Sequence, residues 1–227
     1  MSNIGAWHET SVKAVTAQVT PSLDEDWEGY EVDDEPTFWM DHEADGDART
    51  EFRVLLAGDN VAFGADYEAG TNLFSSYALP GVGSWQDYEY RGRLQRTDAN
   101  GGLGVVVYSR YPASESKMYM LSYWPGGSFA LEDHGTGVLV EGDLDAGVVP
   151  ATSTWYRFRV QAATHDERVT LRAKVWVEGE AEPTLWQAVG YASSTLSISV
   201  SLRRRGCGTD HGGFGGRPRV RRRGEIR

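Results

Sequence analysis

The chain has 227 residues, 40% of them apolar and 11% aromatic, with eight Trp, eleven Tyr and a formal net charge of −11. That is too apolar for a disordered chain and ample for one sizeable core. No window approaches the roughly 18 uninterrupted apolar residues of a membrane span, Met1 to Thr20 lacks the basic stretch and apolar run of a secretory signal peptide, and the single cysteine, Cys207, excludes an intrachain disulfide framework.

Charge is unevenly spread. Residues 203 to 227 hold nine Arg against Asp210 and Glu225, a net of +7, so residues 1 to 202, with 13 basic and 31 acidic side chains, carry −18. Such a body repels nucleic-acid phosphates, and no nucleic-acid partner is expected for it.

In chain order, residues 1 to 23 form a weakly structured lead-in. Leu23 to Pro36 is an acidic stretch in which Trp27 and Tyr30 must act as anchors if it is to pack at all. Asp41, Glu43, Asp45 and Asp47 alternate around Gly46, as ligands of a hard cation such as Ca2+ do. The twelfth position of a calcium loop would be Phe52, and Glu51 comes one residue early, so a solvated acidic loop is the competing reading.

From Phe52 onward the pattern has period two. Tyr88, Tyr90 and Leu94 alternate with Glu89, Arg91 and Arg93. Tyr156, Phe158 and Val160 alternate with Arg157, Arg159 and Gln161, and Val169 to Val177 repeats the pattern. Further strands are expected at 72–79, 102–110, 117–123, 127–132, 183–191 and 196–202, separated by Gly- and Pro-containing turns. About ten short strands without helical periodicity predict an antiparallel sandwich.

Three stretches, Ser84 to Pro112, Lys117 to Gly137 and Thr154 to Gln187, resemble laminin G-like and other concanavalin A-like domains in the order of their "DYEY", "GLGVVVYSR", Tyr-bearing, "WYRFRV" and "KVW" strands. The resemblance covers about residues 24 to 202. It implies an all-β, two-sheet antiparallel jelly-roll sandwich, and it specifies fold far better than function. Such domains end with a Gly-rich strand and then a final strand that pairs back near the first. Here the chain departs from that pattern, because residues 203 to 227 are a Gly- and Arg-rich basic tail without apolar alternation, expected to lie outside the domain. Two explanations stay open: a reading-frame shift near residues 200 to 203 that leaves a disordered tail, or a true basic tail for an acidic partner or RNA.

The resemblance frames three readings of function. The first is a non-catalytic binding or adhesion module, lectin-like, for carbohydrate or another surface ligand. Sugar binding needs exposed aromatic faces beside planar polar groups. Tyr108 and Arg110 share a side with Val106, and Tyr119, Tyr123, Trp124 and His134 follow on the next strands, so these six are the ligand-binding candidates. Each tyrosine either lines that face or packs inside. Trp155 and Trp176 fall on the polar sides of their strands, as outer cover or as platforms.

The second reading is a glycoside hydrolase or polysaccharide lyase. Glu31, Asp33 and Glu35 form a Glu-x-Asp-x-Glu pattern that, on a strand, places three carboxylates on one face, as in retaining glycosidases on this fold. The motif sits in an acidic stretch, and Asp34 stands where an apolar residue is usual. The third reading is a virion or surface-layer protein whose ligand is another copy of itself. An extracellular, cell-surface or virion location follows from these readings. The histidines show no metal spacing, and there is neither a nucleophile elbow nor a phosphate loop.

Overall fold

The computed structural model describes residues 23–43, 52–65, 72–80, 82, 85, 87–109, 111, 118–134, 139–165, 168–192, 201–205 and 213–216. Every regular element among them is a strand: β1 (Trp39–Glu43), β2 (Arg53–Ala57), β3 (Asn60–Ala65), β4 (Asn72–Tyr77), β5 (Tyr88–Arg96), β6 (Gly102–Val107) and β7 (Met118–Tyr123). There follow β8 (Ala130–His134), β9 (Leu139–Glu141), β10 (Tyr156–His165), β11 (Arg168–Val177), β12 (Ala188–Ala192), β13 (Ser201–Arg205) and β14 (Gly213–Gly216).

They pair antiparallel in two sheets, a six-stranded one in the order β1-β4-β13-β6-β7-β8 and an eight-stranded one in the order β2-β3-β14-β5-β10-β11-β12-β9. One buried cluster draws on both. Leu73, Tyr77, Leu103, Val105, Tyr119 and Leu121 from the first sheet meet Phe63, Tyr90, Leu94, Phe158, Val160 and Leu171 from the second. The chain is therefore an all-β sandwich.

The alternation of β10 and β11 has the expected cause. Tyr156, Phe158 and Val160 turn inward, and their partners across the ladder, Val177, Val175 and Ala173, do the same. Arg157, Arg159 and Gln161 then stand outward beside Trp176, Lys174 and Arg172.

Strands β6 and β7 behave differently, being buried at every residue. Their inward residues join the main core. Val106, Met118 and Met120, with Phe74 of β4, form a second buried cluster on the opposite side of the six-stranded sheet. Gly104 lies in this crowded layer, where an added Cβ would stand 2.5 Å from the Leu121 carbonyl oxygen and 2.9 Å from Ser122 Cα.

The acidic segment packs through its aromatics, as its composition requires. Trp27 is fully buried and stacks on Phe63 at 4.7 Å between ring centroids, while Asp24, Asp26, Glu28 and Glu31 stay exposed. Strand pairing also runs past Leu202. β13 lies between β4 and β6, and β14 lies between β3 and β5. Arg204 takes the register position flanked by the core residues Leu73 and Leu103. Gly213 and Gly215 pair with Arg96 and Leu94.

Between β11 and β12 a strand was expected from Pro183, but β12 starts only at Ala188. Residues 178 to 187 are an irregular strap laid back over β11. Gln187 accepts a hydrogen bond from the Val175 N–H at 2.7 Å through its side-chain oxygen, and its own N–H donates to the Ala173 carbonyl at 3.0 Å. Pro183 lacks the N–H that a ladder at that position requires.

Candidate functional site

The expected ligand-binding residues are not brought to one open face. Tyr108, Tyr119 and Tyr123 are 1%, 1% and 3% exposed and belong to the core between the sheets, which leaves no ring face for a ligand. Tyr108 does not share a side with Val106, because β6 ends at Val107 and Tyr108 adopts φ 54°, turning its ring inward. There its hydroxyl lies 3.0 Å from Thr164 Oγ1, its N–H donates to the Tyr88 hydroxyl at 2.8 Å, and its ring stacks on that of Tyr88. Burial raises the Tyr108 hydroxyl pKa, and raises those of Tyr88 and Tyr90 further, so all three are neutral structural phenols at any ordinary pH. Arg110 lies outside the described residues.

Trp124 and His134 do belong to the outer side of the six-stranded sheet. The Trp124 indole N–H donates to both oxygens of Glu132 at 2.8 Å, and Ser122 Oγ donates to the same carboxylate at 2.5 Å. His134 lies edge-on to Phe74, 5.7 Å between centroids. At the far edge His42 is buried, 2.7 Å from Ser76 Oγ, and stacks on Tyr111 at 4.1 Å. On this side Phe74, Val106, Met118 and Met120 are buried as a cluster of their own.

The carboxylate triplet is not on a strand either. Residues 31 to 35 form turns and irregular chain in which Asp33 has φ 73°. The Asp34 carboxylate accepts from the Glu31 N–H at 2.8 Å, and Asp33 pairs with Arg53 at 3.3 Å. A chain that turns at Asp33 cannot hold Glu31, Asp33 and Glu35 on one face. Of the cation-loop candidates, Asp41 is spent on the backbone, its carboxylate accepting from the Phe52 N–H. Asp45, Asp47 and the side chain of Glu43 lie outside the described residues. No group of three His, Cys, Asp or Glu able to hold a metal occurs among the described residues.

The open polar face is the outer side of the eight-stranded sheet, across β5, β10 and β11. A groove of about 320 Å³ runs there, lined by Arg91, Arg93, Arg157, Trp176, Glu178 and Glu182. Its walls are built from shared ion pairs. Glu178 receives Arg93 at 3.1 Å and Arg157 at 2.9 Å, Glu182 receives Arg159 at 2.9 Å and Lys174 at 3.0 Å, and Glu89 receives Arg159 at 2.6 Å as well as Arg91.

Aromatic rings lie against three of the cations. Arg93 lies 4.7 Å over Trp155, and Arg159 and Lys174 lie 5.4 Å and 5.0 Å from the ring of Trp186 in the strap. Burial works against the charge on Glu182, but hydrogen bonds from Arg159 and Lys174 outweigh it and hold the carboxyl below the usual Glu range. Burial likewise works against the charge on Arg159, but its hydrogen bonds to Glu182 and Glu89 outweigh it and raise the guanidinium pKa above its usual value.

Sequence reasoning flagged Trp155 and Trp176 but missed Trp186, Glu178 and Glu182. The signal available in the sequence was the run of acids Glu178, Glu180 and Glu182 directly after a strand whose polar side carries Arg168, Arg172 and Lys174. No protein-family model matches the chain, and no curated protein matches it significantly.

Proposed function

We propose that this chain is a non-catalytic binding module for carbohydrate or a related surface ligand, built on a concanavalin A-like jelly roll, and that it holds its ligand on the outer side of the eight-stranded sheet. The late strands β13 and β14, which return to the middle of both sheets among the early strands, support the jelly-roll reading.

The observation that carries the functional reading is the groove beside Trp176. An indole next to planar guanidinium and carboxylate groups, already fixed by mutual hydrogen bonds, is what a polyhydroxyl ring requires. The ring stacks its C–H face on the aromatic and its hydroxyls bridge the fixed donors and acceptors. Side chains ordered in advance lose little entropy on binding. The enzymatic reading lacks a comparable support, since Glu31, Asp33 and Glu35 are exposed on a turning segment.

The test is a glycan-array and polysaccharide-pulldown screen on the full chain, with calcium and with chelator. Retention of a defined set of glycans in both buffers is the expected result. Retention of none, together with self-association at micromolar concentration, contradicts it and favours the assembly reading.

A further inference from the structure

The charge inventory of the groove points to a class of glycan. Along the groove and the sheet face beside it, five described cations, Arg91, Arg93, Arg157, Arg159 and Lys174, share three carboxylates, Glu89, Glu178 and Glu182, and of these Arg91, Arg93, Arg157, Glu178 and Glu182 line the groove itself. Arg168 and Arg172 extend the same face along β11, and Arg168 lies 4.7 Å over Tyr191. Each guanidinium has five N–H donors in a rigid fork, so an arginine that gives one or two of them to a shared carboxylate keeps further donors for another acceptor. Arg91 and Arg157 are about half exposed at the groove, with side-chain exposures of 49% and 48%.

A neutral sugar would leave that surplus unanswered. A sugar carboxylate would meet it with charge-assisted, two-pronged hydrogen bonds. The surplus also stands against a body of charge −18 over residues 1 to 202, and a cationic outward face on so acidic a protein has no solubility rationale.

Resting on the binding reading above, we infer that the groove recognises uronic-acid-containing polysaccharide, with Trp176 stacking on a sugar ring and Arg91 and Arg157 gripping its carboxylate. Arg93, held by Glu178 and Trp155, acts as a positioning residue. The long-range field of the body opposes an anionic polymer, so recognition is confined to contact distance and best read near 0.15 M salt, where the Debye length is about 8 Å.

The experiment measures binding of the full chain to polygalacturonate and to alginate, with chelator present. Fully methyl-esterified polygalacturonate, the same backbone with its carboxylates masked, is the control. Selective binding of the free acids is expected, weakened about tenfold or more in R91Q and in R157Q. Both substitutions fall on half-exposed side chains, and the thermal midpoint of each variant verifies folding. Equal binding of the esterified polymer, or binding only to neutral glycans, overturns acid recognition and leaves the binding module standing. Selective binding unchanged in both variants overturns the assignment to this groove. Binding of no glycan at all overturns both readings.

Discussion

The two outward faces of this sandwich have been built to opposite ends. On the six-stranded sheet, Phe74, Val106, Met118 and Met120 point away from the main core yet are buried, and the polar groups among them, Ser76, Ser122 and His42, are buried too. On the eight-stranded sheet, the same outward positions carry Arg91, Arg93, Arg157, Arg159 and Lys174, standing among half-buried indoles around a groove. A dry face contributes to stability through apolar area, about 25 cal/mol per Å² removed from water. A face of shared surface ion pairs contributes little, since each such pair is worth roughly 0–1 kcal/mol. What it does is hold side chains in place, and a fixed set of donors beside an aromatic ring is what the proposed ligand would use. The contrast is the reason for placing the proposed ligand on the eight-stranded face.

Substitutions can break that contrast. Phe74→Ala on the dry face should cost roughly 3–5 kcal/mol, read as a lowered urea midpoint, with no change in ligand selectivity. Gly104→Ala forces a methyl group against the Leu121 carbonyl and should cost about 1–3 kcal/mol in the same assay. Arg157→Gln on the open face should cost less than about 1 kcal/mol, because Arg93 still answers Glu178, while ligand binding falls.

The smallest effect is pH dependence. The folded-state pKa of Glu182 is depressed, so its contribution is present above the unfolded value, about 4.3, and is lost as pH falls through the lower folded value. E182Q should lower the neutral plateau slightly and flatten the acid limb of a stability-versus-pH curve, because the contribution that acid would remove is then absent at every pH. An unchanged acid limb would show that the strap is not held by this carboxylate.

Much of the fold was legible in the sequence, and most of the site was not. The alternation of β5, β10 and β11 announces itself because one side of each strand is wet and the other dry. Strands β6 and β7 are buried on both sides, so their apolar runs say nothing about which way Val106 or Tyr119 points. Tyr108 defeats extrapolation from β6 because its positive φ breaks the period, a conformation that no residue type announces for tyrosine. The Arg-rich end of β13 beyond Leu202 and the Gly-rich β14 were hidden by their composition, and their places are set by pairing with β4, β6, β3 and β5. In sequence the strap from Glu178 to Gln187 reads as a turn with three acids running into a strand from Pro183. The cations on β5, β10 and β11 give Glu178 and Glu182 a role, and that pairing is made in three dimensions.

The central claim is that ligand is held on the eight-stranded face. The most direct test compares W176A with W124A for binding to whichever polysaccharide the full chain retains, since the two indoles stand on opposite faces. Loss of binding in W176A with binding intact in W124A is the predicted result. Binding intact in W176A and lost in W124A would contradict the account and move the site to the Glu132 side of the sandwich.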